Sequence, residues 1–185
     1  MADERDLLRK ARKLEEATLG TIFDMYYQPL YRYIYHQVGH TETAEDLVTE
    51  VFKRFLEGLS KGRGPKRHLQ AWLYQVARNL IADEFRRNAH HNHSQLDDHL
   101  ADANEDIESQ TQGAILGQHA KQALKHLTPK QRDVIILKFF EGLENAQIAQ
   151  IMNLEVGSVK SLQHRGLAAL RRHLTESGVT PGEIL

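Results

Sequence analysis

The chain has 185 residues, 41% hydrophobic and 26% charged, with a formal net charge of −1, a soluble composition that fits one large or two small domains. The absence of cysteine excludes a disulfide framework, a thiolate metal site and a cysteine nucleophile. No apolar run of about 18 residues suggests a membrane span, and the start MADERDLLRK lacks a signal-peptide core, so a cytoplasmic protein without membrane insertion is expected.

Apolar periodicity is helical almost throughout, and no alternating strand pattern persists. Leu7, Leu8, Ala11 and Leu14 mark a first amphipathic stretch. Leu19, Phe23, Tyr26, Tyr27, Leu30, Tyr31, Ile34 and Tyr35 mark a second, with an interruption or kink expected at Pro29 and an end at Gly39. A third is capped by Thr41 or Thr43 and buries Leu47, Val48, Val51, Phe52, Phe55 and Leu59. After the loop SKGRGPKRH, a fourth carries Leu69, Trp72, Leu73, Val76, Leu80, Ile81 and Phe85. These make a helical domain of a size that folds alone. Trp72, the only tryptophan, is assigned to its core.

From about Asn88 to Gln112 the sequence is polar and too poor in large apolar residues to offset the ordering of its backbone, which makes it a linker. A second helical domain runs to Leu174. Its first helix starts at Thr128 with Pro129 at the first helical position, is built on Leu127, Val134, Ile135, Leu137, Phe139 and Phe140, and stops at Gly142. Then comes NAQIAQIMNLEVGSVKSLQHR, two short helices around a sharp break. Ile148, Ala149, Met152, Leu154, Val159 and Leu162 would close a small core, with Asn153 in the left-handed conformation that an asparagine tolerates. This is helix-turn-helix spacing. Ser158, Lys160, Ser161, Gln163, His164 and Arg165 remain outside on the second helix. Gln and Arg read base edges, while Ser and Lys hold phosphates, so duplex DNA in the major groove is the expected ligand.

Charge distribution agrees. Between 61 and 87, Lys61, Arg63, Lys66, Arg67, Arg78, Arg86 and Arg87 face only Asp83 and Glu84. A second basic block spans 120–173, and the stretch between the blocks has acidic residues but no Lys or Arg. Basic faces attract phosphate; the plainer alternative is solvated helix faces.

The segment TPKQRDVIILKFFEGLENAQIAQIMNLEVGSVKSLQHRGLAALRRHL resembles region 4 of bacterial RNA polymerase sigma factors of the sigma-70 superfamily, extracytoplasmic-function group. AEDLVTEVFKRFL and AWLYQVARNLIADEFRR resemble region 2 of the same group. The resemblance implies an all-α chain of two small helical domains joined by a flexible acidic linker: an extension at 1–18, region 2 at 19–88, the linker at 89–112, region 4 at 113–174 and a tail at 175–185.

It also implies a function without catalysis or cofactor: binding core RNA polymerase, recognising two promoter elements and helping to open DNA. Region 2 would dock on the clamp helices of the polymerase largest subunit through Asp46, Thr49 and Glu50, backed by Leu47 and Val51; Thr49 stands where the family usually has glutamine. Region 4 would meet the beta flap. Lys61, Arg63, Lys66 and Arg67 in the loop, with Arg78, Asn79, Arg86 and Arg87 on the fourth helix, would hold the minus-ten element. The loop has no aromatic residue where members usually carry phenylalanines, so charge is expected to dominate there. Ser158, Lys160, Ser161, Gln163, His164 and Arg165 would take the minus-thirty-five element. An anti-sigma factor is a further candidate partner.

Two other readings compete. A stand-alone DNA-binding regulator would use the C-terminal domain without polymerase. A metalloenzyme would use His90, His91, His93 and His99, but an unscaffolded cluster makes a poor site, and no metal is expected.

Overall fold

A computed structural model describes residues 4–94 and 122–176, and every regular element among them is helical. The first half contains α1 (Glu4–Ala11), α2 (Glu16–Val38), α3 (Thr41–Ser60) and α4 (Leu69–Ser94). The second half has a helical turn at 122–125, α5 (Pro129–Ile135) continuing as a π-helical turn (Ile136–Phe140), α6 (Asn145–Met152) and α7 (Val156–Glu176). The first three residues, most of the expected linker, residues 113–121 of the expected second domain and the tail from 177 lie outside the described residues; α7 runs two residues past the expected domain end at 174.

In the first half, α2, α3 and α4 pack on one another around Tyr33, Tyr74, Phe55, Ile22, Leu30 and Leu73, each at most 1% exposed. α1 lies against α2 and buries Leu8 and Ala11. Several local expectations change. Pro29 does not interrupt α2, which continues through it as one helix. The residue before α3 is His40, without a side-chain cap, so Thr41 is the first helical residue and neither threonine is the cap. Leu14 lies beyond the end of α1 at φ 56°, exposed rather than buried. Phe23 and Phe85 are also exposed. α4 continues to Ser94, past the expected start of the linker, because nothing in that polar run breaks a helix.

The second half has an aliphatic core of Val134, Ile135, Ile136, Leu137, Ile148, Ala149 and Val159. α5 opens with the expected signal. Thr128 Oγ1 accepts from the Gln131 backbone, Gln131 Oε1 accepts from the Thr128 backbone, and Pro129 follows. This capping box satisfies two donors that the first turn leaves unpaired. Phe139 and Phe140, expected in the core, sit on the π-helical turn and are exposed. α7 crosses α5 where a Cβ on Gly166 would stand 3.0 Å from Ile135 Cγ1. The small residue at that crossing is therefore Gly166, which sequence reasoning did not single out.

The two halves pack together directly: α6 lies on α4, and the π-helical turn lies on α2. At the centre of the contact is Asp133, only 9% exposed. It accepts from Tyr33 Oη (2.7 Å), Gln37 Nε2 (2.7 Å) and Arg78 Nε (2.9 Å). A carboxylate taken out of water loses several kcal/mol, about as much as good pairing can return; here a cation and two neutral donors supply the pairing. Burial, then the adjacent Asp133 charge, raises the Tyr33 phenol well above its ordinary range. At the rim, Arg32 donates to Glu141 (3.1 Å), Gln75 to the Gln150 carbonyl (3.1 Å) and Gln147 to Gln70 (3.1 Å). Glu141 has its carboxyl raised, first by burial, with Arg32 and Tyr74 opposing.

Candidate nucleic-acid and protein interfaces

The helix-turn-helix is set by its break. Asn153 adopts φ 52°, ψ 52°, a left-handed conformation that costs most side chains roughly 1–2 kcal/mol and asparagine less. The Leu154 amide returns to the Ala149 carbonyl at 2.9 Å, closing α6, and the Glu155 carbonyl receives the Ser158 and Val159 amides, opening α7. Val159 is fully buried, so the phase of α7 is fixed. Ser158, Lys160, Ser161, His164 and Arg165 then lie exposed along one side, and Gln163 is half-buried at its edge. Ser161 donates to the Gly157 carbonyl (3.0 Å) and Arg165 to the Ser161 carbonyl (3.3 Å), so both side chains rest along their own helix.

The loop between α3 and α4 presents Lys61, Arg63, Lys66 and Arg67, all exposed. It turns sharply. Gly62 has φ 67°, His68 has φ 55°, and a Cβ on Gly64 would come within 2.7 Å of Leu59 Cδ2. Pro65 is buried beneath it. On α4, Asn79, Arg86 and Arg87 are exposed. Arg78 is not on that free surface. Its Nε is bonded to Asp133 and its Nη1 reaches the Ile151 carbonyl at 3.5 Å. Arg86 and Arg87 pair with Asp83 and Glu84 of their own helix.

A groove between α3 and α4 carries the acidic residues Asp46, Glu50, Asp83 and Glu84, with Arg54 and Arg87 at its sides. Asp46 and Thr49 are exposed; Leu47 lies in the groove wall and Val51 is fully buried beneath α3. Glu50 bonds to Arg54 (3.0 Å) and Lys53 (3.4 Å), and the Arg54 hydrogen bond, opposed by burial, lowers its carboxyl below the ordinary value. Asp83 and Glu84 were not expected here. Only the packing of α4 beside α3 brings them to Asp46, although their position one turn before Arg86 and Arg87 was visible.

Among the described residues no group of His, Asp and Glu could hold a metal ion, and no helix is long and apolar enough to cross a membrane. His99 lies outside the described residues; residues 90, 91 and 93 fall within the last turns of α4.

The sequence matches the description of Sigma-70 region 2 over residues 22–91 and of Sigma-70, region 4 over residues 120–170. It is 34% identical to the ECF RNA polymerase sigma factor BldN of Streptomyces coelicolor, over 92% of this chain and 66% of that protein. It is 31% identical to the ECF RNA polymerase sigma factor SigL of Mycobacterium tuberculosis, over 92% of this chain and 96% of the relative. In fold it resembles CnrH, solved in complex with the cytosolic domain of CnrY, with a TM-score of 0.71 and 20% identity over 94% of this chain and 97% of that one.

Proposed function

The chain thus belongs to the ECF group of sigma-70 factors, and from that membership we propose how its surfaces divide the work of starting transcription. It is a promoter-recognising factor whose partners are core RNA polymerase and promoter DNA. It works by binding, in the cytoplasm, and brings no catalytic group of its own.

The exposed side of α7 lies in the major groove of the minus-thirty-five element, with Ser158, Lys160 and Ser161 near phosphates and Gln163, His164 and Arg165 toward base edges. The loop cations Lys61, Arg63, Lys66 and Arg67 line the path of the minus-ten strand with Asn79, Arg86 and Arg87. Arg78 joins them when the two halves of the chain separate, since its guanidinium cannot serve Asp133 and DNA together. Asp46, Thr49 and Glu50 meet the clamp helices of the largest subunit, where their charge suits a basic surface, and the second half meets the beta flap. An anti-sigma factor would compete for these surfaces.

The observation that supports this reading most is the side of α7 itself: a buried Val159 fixes its phase, and five polar or basic side chains stand exposed together opposite the core. The stand-alone regulator shares that helix but gives no role to the acidic groove. The deciding experiment is transcription from a promoter library with purified core polymerase. Wild type gives specific starts; Lys160→Ala with Arg165→Ala reduces them about tenfold or more by losing a phosphate contact and a base contact. Binding to duplex without any association with core polymerase would refute the assignment in favour of the regulator.

A further inference from the structure

The residues before the matched segments include α1, and the basic loop is gripped by the first residue of α1, Glu4, and by Arg12, just beyond the end of α1. Glu4 Oε1 accepts a hydrogen bond from the Leu69 backbone N–H at 2.8 Å. Arg12 Nη2 donates to the Pro65 carbonyl at 3.2 Å. Both are side-chain hydrogen bonds to backbone between Gly64 and Leu69. The helix between the two gripping residues is itself anchored, with Leu8 and Ala11 buried.

Each contact meets a local need. Leu69 is the first residue of α4, so its amide has no partner inside the helix. The residue before it, His68, has φ 55°, unlike the extended backbone of an ordinary capping residue. Glu4 supplies the missing acceptor from 65 positions away, and its negative charge suits the positive end of the helix. Arg12 fixes the carbonyl at the middle of the loop, one residue before Lys66 and two before Arg67.

We propose that Glu4 and Arg12 are positioning residues for promoter opening: they hold the loop in the shape that presents Lys61, Arg63, Lys66 and Arg67 to the unpaired minus-ten strand. This rests on the assignment of that loop to the strand. A loop without aromatic side chains holds nucleic acid by charge, and charges on a mobile backbone must be ordered on binding at an entropic cost. α1 orders them beforehand.

The test uses the full-length chain in three variants, Glu4→Ala, Glu4→Gln and Arg12→Met. Hydrogen exchange over 61–69 is read by mass spectrometry in the free chain. Strand opening is read with core polymerase on a promoter carrying a fluorescent base in the minus-ten element. Glu4→Ala and Arg12→Met speed exchange and slow opening about three- to tenfold, as expected for losing one ordering hydrogen bond, with core affinity unchanged. Glu4→Gln keeps an oxygen acceptor and recovers most of both. Exchange unaltered in Glu4→Ala and Arg12→Met overturns the proposal, as does faster exchange with unaltered opening. A loop variant, Arg63→Ala with Lys66→Ala, separates the two ideas. If it fails to open DNA while Glu4→Ala opens normally, the brace is wrong and the loop assignment stands. If it opens DNA normally, both fall.

Discussion

The two halves of the molecule hold themselves together differently. The first is built around large aromatic side chains, Tyr33, Tyr74 and Phe55, each at most 1% exposed, inside three long helices. The second is smaller and aliphatic, and its central helix, α5, is used on both sides: Ile135 meets α7 at Gly166, while Asp133 faces α2 and α4. A helix claimed from two directions has little freedom to repack. The first half therefore carries its fold on its own core, while the second half rests partly on the first.

The sharpest way to break that comparison is at Asp133. Asp133→Ala leaves Arg78 without its anion and Tyr33 and Gln37 without their acceptor, and costs about 3 kcal/mol, the low end for a broken buried pair because Arg78 is partly exposed. Chemical denaturation of wild type is expected to be one transition; in the variant, the second half melts first. A single unshifted transition would show that the halves do not depend on one another.

Gly166→Val probes the second half alone. The added methyl groups meet Ile135 Cγ1 and Cδ1, which are buried and cannot swing away. Overpacking of this kind costs roughly 1–2 kcal/mol, and thermal melting should place all of it in the second half.

The smallest effect comes from pH. Burial raises the Glu141 carboxyl above the ordinary 4.5, so the folded state holds its proton more tightly than the unfolded chain does. Its contribution is then most favourable below that ordinary value and is lost as pH rises through the folded value. Glu141→Gln cannot ionise and escapes that loss. Its melting temperature relative to wild type should therefore rise between pH 4 and pH 7. A shift in the opposite direction would mean that pairing with Arg32 outweighs burial.

Much of the local structure was legible because its causes are local. The Thr128–Pro129 start needs only the residues of its own first turn, and the turn at Asn153 needs only a short amide between two apolar phases. The order of the helices followed from periodicity in the same way. What periodicity cannot supply is the neighbour. Phe23 and Phe85 have the spacing of core residues, yet both stand exposed, Phe23 with its ring resting on Phe52 of α3 at 4.8 Å between centroids. Asp133 lies within the second basic block with nothing nearby to mark it; its partners Tyr33 and Gln37 lie 100 and 96 positions away. Arg78 carried the right charge for DNA and was assigned there, with nothing in its own segment to announce Asp133. The Glu4–Leu69 contact was hidden for the same reason. The exposed side of α7 was legible because it is what remains once a short core has claimed the other side.

The π-helical turn at Ile136–Phe140 carries the chain from α5 toward α6. Such a turn spends one residue more than an α turn over nearly the same rise, and each residue of helix rotates the chain by about 100°. Whatever follows is thus turned by a fraction of a circle that an uninterrupted helix would not give. Removing a single residue from ILKFF would restore ordinary winding and turn Gly142 and the start of α6 to a new bearing, out of step with the seat of α6 on α4 and of α7 on α5. The seating of α6 and α7 thus depends on one surplus amino acid.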